Sequence, residues 1–262
     1  MVASGSVMRV LREWVEARRR EAGRVDALDA RRVTPSVRDL GAALRMGRRD
    51  LVALPLVAPR GEAEARALAA AAADADVAAV AFATTGIGTA GLEPPGGGPP
   101  PGGDPRGSLA AVRAASDALP ATPFLRLDPA TSEGQVLESR LAGADAVALP
   151  VGFLDAAELR RLAKAARSTL MTPVFLVGTP ADAAAARDAE ARFLLVAADG
   201  GLEASLALAA SLPPQVSVCV WAPSLDRPEA VRALAGRADG AILDPAFPPA
   251  RWGEVAVVEP AG

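Results

Sequence analysis

The stretch DAVALPVGFLDAAELRRLAKAARSTLMTPVFLV, residues 145–177, decides the fold. Two short apolar runs, DAVALP (145–150) and PVFLV (173–177), bracket residues 156–168, whose Ala, Leu, Arg and Glu residues recur at helical period. A strand, a helix and a second strand in that order form a βαβ unit, which lays its two strands parallel. The same unit repeats in both directions along the chain. Further strands are predicted at LVALPLV (51–57), VAAVAF (77–82), TPFLRL (122–127), RFLLVA (192–197), VSVCVW (216–221) and GAILD (240–244). Helices are predicted between them at 63–74, 109–118, 133–142, 181–189, 202–211 and 228–236. Eight such units in a chain of 262 residues predict an α/β fold, a (β/α)8 TIM barrel with a filled apolar interior and functional residues at the C-terminal strand ends. A doubly wound open sheet is the alternative, weakened because no Gly-rich dinucleotide fingerprint follows the first strand.

Ahead of the first strand, residues 1–48 read as an N-terminal helical extension, with one helix over 7–30 and a short second one over 36–46 near a proline. The whole span 1–262 reads as a single domain. GLEPPGGGPPPGGDPR (91–106) is rich in Pro and Gly without a period, and is expected to form a flexible loop at the barrel rim. After Asp244, PAFPPARWGEVAVVEPAG carries helix-blocking prolines and an extended EVAVVE, so the eighth helix is expected to be degenerate. A gap in the outer ring would leave apolar flanks uncovered, which predicts a homo-oligomer or a partner protein.

Hydrophobic residues make up 51% of the chain, enough for a large core, and a net charge of -3 provides no field that draws in nucleic acid or an anionic membrane. The longest apolar stretch, 77–92, falls short of the roughly 20 residues that a membrane span needs. MVASGSVMRVLREW has no secretory pattern, so a cytoplasmic location is expected. Cys219 is the single cysteine, which excludes an intrachain disulfide and a multi-cysteine metal site. Histidine and tyrosine are absent and Lys164 is the single lysine, so the usual proton carriers are missing. Arginine carries the remaining positive charge and stays protonated. Neither a cofactor nor a metal is expected.

Several segments carry a family likeness. QVLESRLAGADAVAL (135–149) and FLDAAELRRLAKAAR (153–167) resemble the middle of indole-3-glycerol phosphate synthase, a tryptophan-pathway barrel enzyme. TPFLRLD (122–128) is similar to that family's "PVLRKDF" third strand, and RGSLAAVRAA (106–115) to its "GS..L..VR" second helix. LGAALRMGRRDLVALPLVAPRG (40–61) looks like the region entering the family's first strand. The resemblance implies a barrel that closes the indole ring of an anilino-deoxyribulose phosphate with loss of carbon dioxide and water.

It also implies where the proton carriers belong. The third-strand lysine, the family's general acid, falls on Leu127, between Arg126 and Asp128. The first-strand glutamate and lysine fall on Leu54 and Leu56, and the fifth-strand glutamate on Leu176. The sixth-strand "NNR" falls on Ala197, Ala198 and Asp199, and the seventh-strand "ESG" on Ala222, Pro223 and Ser224. In the phosphate grip, "SPS" reads Pro59, Arg60, Gly61, while the eighth-strand glycine reads Asp244, followed by Pro245. Shifting the register does not help, because residues 51–59, 122–128, 172–179 and 216–225 contain neither Lys nor Glu. No catalytic residue is assigned.

Arg60, Thr84, Thr85, Arg126, Asp128, Asp199, Trp221, Ser224 and Asp244 fall at or just past the strand ends and make the candidate pocket. A small anionic or aromatic ligand would suit it; Trp221 reads first as a core residue and otherwise as a group placed to stack on a ring. If Asp128, Asp199 and Asp244 converge, they would make a weak cation site or a carboxyl of raised pKa; singly they read as solvated loop residues or caps, as do Asp155 and Asp226. Cys219 is expected to face the outer helices as a buried thiol. Arg18, Arg19 and Arg20, beside Glu13, Glu16 and Glu21, read as a solvated helix face. The expected function is that of a non-catalytic pseudoenzyme with a binding, scaffold or regulatory role linked to tryptophan biosynthesis. The alternative is an active lyase, using either the family's own reaction or another carboxylate-based one at the barrel mouth.

Overall fold

In the computed structural model, which describes residues 7–22, 33–45, 50–59, 61–83, 109–222, 225–244 and 246–259, the eight expected strands form one closed parallel barrel. They are β1 (Leu51–Val57), β2 (Val80–Phe82), β3 (Phe124–Arg126), β4 (Ala146–Pro150), β5 (Thr172–Val177), β6 (Phe193–Val196), β7 (Ser217–Trp221) and β8 (Gly240–Leu243). Closure is made at β1, whose Val52–Pro55 pair with β8 and whose Leu56 and Val57 pair with Ala81 and Phe82 of β2. The helices are α1 (Val7–Ala22), α2 (Leu40–Arg45), α3 (Glu62–Asp74), α4 (Leu109–Ala118), α5 (Glu133–Leu141), α6 (Ala156–Ser168), α7 (Pro180–Asp188), α8 (Gly201–Ala210) and α9 (Pro228–Arg232). Among these described residues no helix is long and apolar enough to cross a membrane. The expected loop 91–106 lies outside the described residues.

Period-two alternation sorts the apolar strand residues into two buried layers. Leu51, Ala53, Phe124, Phe175 and Val220 face outward onto helix residues such as Ala65, Val112 and Leu162. Val52, Leu54, Leu56, Leu127, Leu176 and Ile242 face inward and fill the barrel. The inner layer is capped below by Leu40 and Leu44 of α2 and above by Leu11, Trp14 and Val15 of α1. Gly240 is required near the bottom, because a Cβ there would stand 2.6 Å from Cys219 Sγ.

The strip 33–40 is fastened under the strands by a buried carboxylate. Asp145 accepts Ser36 Oγ at 2.7 Å and the Phe124 amide at 2.9 Å, and pairs with Arg38 Nε at 2.7 Å and Arg140 Nη1 at 2.9 Å. Arg38 also lies over the Phe124 ring, 5.1 Å from its centroid. These bonds hold residues 33–39 out of helical form, which is why α2 starts at Leu40 rather than near Ser36.

Four of the helices end in the same way. After α3, α5, α6 and α7, one residue turns left-handed (Asp76, Gly143, Leu170, Glu190), and the amide after it bonds back to the carbonyl five residues earlier. At the end of α3 this bond runs from the Val77 amide to Ala72, so β2 begins at Val80 and not at Val77. Leu170 is ill-suited to its place, being branched at Cγ, at φ 57 and with 66% of its surface exposed. Leu170→Gly is therefore expected to raise stability by about 0.5–1 kcal/mol. A urea midpoint that stays level or falls would contradict this.

The eighth helix is absent, as the prolines predict, but the ring has no gap there. Residues Pro249–Glu254 form a 3₁₀ turn, and Val257–Val258 make a short strand, β9, antiparallel to Leu51 and Val52 of β1. Phe247, Trp252 and Val255 are buried against the outer layer, with Trp252 Nε1 donating to the Phe247 carbonyl. The uncovered flank that motivated an oligomer is thus covered by the chain itself.

Candidate functional site

The C-terminal strand ends surround a mouth walled by aliphatic groups. Leu54, Leu56, Leu127, Leu176 and Ala197 all point into the barrel and are at most 3% exposed. Ala222 departs from this set. It packs in the outer layer, and the inward residue at the end of β7 is Trp221, one position earlier. Cys219 follows the same parity and also faces the axis, correcting the expectation that it meets the outer helices. Burial, reinforced by the nearby Asp239, pushes its thiol up to about 12, so it stays neutral at any ordinary pH. Trp221 is 3% exposed and its indole N–H is buried without a hydrogen-bond partner.

Arg126 and Asp128 do not line an open pocket. Both are buried, with Arg126 Nε 3.1 Å from Asp128 Oδ2 and Arg126 Nη1 3.1 Å from Glu138 Oε2 of α5. Ser139 Oγ accepts from Arg126 at 3.2 Å and donates to the Gln135 carbonyl. The cluster gains a second cation from α1. Arg18 is 1% exposed, contrary to its reading as part of a solvated run, and pairs with Glu21 at 2.7 Å. Burial, and then the neighbouring Arg126, lower the pKa of Arg18; burial raises that of Glu21 against the pull of Arg18. Leu11, Trp14, Val15 and Arg18 are spaced by three and four, and this stripe is the signal that would have separated Arg18 from Arg19 and Arg20.

The three aspartates do not converge. Asp128 is held in the β3 cluster, Asp199 beyond β6 accepts the Met8 amide at 3.0 Å, and Asp244 beyond β8 accepts the Ala246 amide at 2.8 Å. Among the described residues no group of three carboxylate, thiol or imidazole side chains could hold a metal ion. Burial raises the pKa of Asp244, with a contribution from Asp226. Asp155 caps α6, its carboxylate accepting the amides of Ala157 and Glu158. Asp226 does not cap α9, since that position is held by Arg227. Arg60, Thr84, Thr85 and Ser224 lie outside the described residues.

This architecture is shared with solved structures at low sequence identity. A chain of tryptophan synthase from M. tuberculosis superposes with a TM-score of 0.60 at 18% identity, covering 84% of this chain and 98% of that one. The tryptophan synthase alpha subunit of Legionella pneumophila does so with a TM-score of 0.56 at 13% identity, covering 81% and 91%. In sequence, an indole-3-glycerol phosphate synthase from Nocardioides sp. (strain ATCC BAA-499 / JS614) is 50% identical over 66 residues, which is a quarter of either chain's length. The profile of the same family matches residues 105–199, the part that builds β3 to β6. Over that region, and no further, the chain is similar to the indole-3-glycerol phosphate synthase family.

Proposed function

We propose that this chain is a non-catalytic member of that family, a barrel with a binding, scaffold or regulatory role linked to tryptophan biosynthesis in the cytoplasm. One observation carries the reading. The inward positions that align with the family's proton carriers on the first, third, fifth and sixth strands hold Leu54, Leu56, Leu127, Leu176 and Ala197, and none of these can give or take a proton. Ring closure with loss of carbon dioxide and water needs an acid at the reacting carbons, and general acid–base groups contribute about 10²–10⁴ in rate apiece. Lys164, the single lysine, is exposed on the outer helix α6, away from the mouth. Asp128 is committed to Arg126. The occupant or partner on this reading is a small anionic or aromatic ligand or a second protein, and the net charge of -3 argues against nucleic acid or an anionic membrane.

The test is direct. Purified full-length protein incubated with the family's carboxyphenylamino-deoxyribulose phosphate is expected to give no indole-glycerol fluorescence above the enzyme-free background. Turnover that scales with protein concentration would overturn the proposal in favour of an active lyase.

A further inference from the structure

The mouth of the barrel already has an occupant, and it comes from the same chain. Helix α1 lays Leu11, Trp14, Val15 and Arg18 along one buried stripe, while Arg12, Glu13, Glu16, Arg19 and Arg20 stay outside or at the margin. The first three of the stripe belong to the same apolar cluster as Leu54, Leu127 and Leu176, so α1 fills the space above the inward residues. Its fastenings run around the rim. The Met8 amide donates to Asp199 beyond β6, and the Met8 sulfur sits against Gly178 beyond β5. Arg19 donates to the Phe153 carbonyl beyond β4, and Gln135 of α5 donates to the Arg18 carbonyl at 2.6 Å.

The fastening is unlike the barrel's own in kind. Strands are joined by ladders of backbone hydrogen bonds, whereas α1 is joined by side chains and one helix-end amide. At its far end the cation is poorly met. Arg18 Nε and Nη2 are buried with no hydrogen-bond acceptor, and Nη2 stands 3.7 Å from Glu138 Oε2. A buried donor left without an acceptor opposes the state that buries it. Release of α1 would rehydrate Arg18 while leaving every barrel strand paired. We propose that α1 is a detachable plug: it leaves the mouth as one unit, and a small apolar or aromatic molecule enters the mouth in competition with it. The proposal stands whether or not the barrel turns over a substrate.

Hydrogen exchange of the full-length protein, read by mass spectrometry, tests this without any mutation. Amides of residues 7–22 are expected to exchange together, about 100-fold faster than those of β5, as a sub-global opening does. Anilinonaphthalene sulfonate, an aromatic anionic probe, is expected to bind saturably and to speed exchange in α1 while leaving β5 unchanged. Exchange of α1 at the β5 rate would overturn the proposal, and so would probe binding that leaves α1 protection untouched. A second arm locks the helix with the pair Met8→Cys and Gly178→Cys. Once oxidised, this variant is expected to lose both the fast α1 exchange and the probe binding, and to regain both on reduction. Probe binding undiminished by the lock would overturn it equally.

Discussion

Asp145→Ala is expected to lower the free energy of unfolding by roughly 3–5 kcal/mol, the range found when one member of a buried ion pair is removed. The carboxylate is fully buried and carries four contacts at once, from Ser36, Arg38, Arg140 and the Phe124 amide. Its removal leaves two largely buried guanidinium groups facing each other with no anion between them, and strands the Phe124 amide at the start of β3. Domains of this size are stable by only about 5–15 kcal/mol, so the variant should unfold at markedly lower urea concentration. Asp145→Asn keeps the shape and one acceptor, and is expected to fall between the two. A loss for the alanine variant of under about 1 kcal/mol, the value of an exposed pair, would show that the strip 33–45 does not depend on this carboxylate.

Leu127→Lys, which restores the residue the family carries at the end of its third strand, should be comparably damaging and should depend on pH. Leu127 has no exposed surface and lies among aliphatic neighbours, so a lysine there folds only in its neutral form. Removing the proton at neutral pH costs about 4–5 kcal/mol relative to the unfolded chain, where the amine keeps an ordinary pKa near 10.4. The sign follows from linkage. Below about pH 10 the unfolded state binds one more proton than the folded state, so stability falls as pH falls, by about 1.4 kcal/mol per pH unit until the depressed folded pKa is reached. Urea midpoints of the variant and the parent at pH 6, 8 and 10 should therefore converge toward the alkaline end. A difference independent of pH would mean that the new ammonium finds water or an anion in the mouth. The inner layer would then be less closed than its aliphatic lining implies.

The barrel was readable because each βα unit announces itself twice, once in the apolar run and once in the helical period that follows. Both signals survive the substitution of any single residue. The strand ends were less readable where a helix terminus intrudes, as at Val77, whose amide is taken by Ala72. The site was harder for a different reason. Leu54, Leu127 and Leu176 could be placed from their neighbours, but Ala222 and Cys219 depend on counting parity from the correct end of VSVCVW, and a one-residue slip exchanges the inner and outer faces. Arg18 stayed hidden inside a run of three arginines, since composition alone says that such residues are solvated. Asp145 looked like one more turn residue before a strand. Its role arises from Ser36, Arg38 and Arg140, and the first two lie more than 100 residues away.

The two-residue strand β9 also bears on how the molecule is made. The lower half of β1 has β8 on one flank and β9 on the other, both drawn from the last part of the chain. During synthesis, when the N-terminal part emerges first, β1 must wait for residues 240–258 before its backbone is fully paired. Completion of the barrel is thereby tied to the emergence of Val257 and Val258, and a nascent chain stalled before them would present an open seam to chaperones.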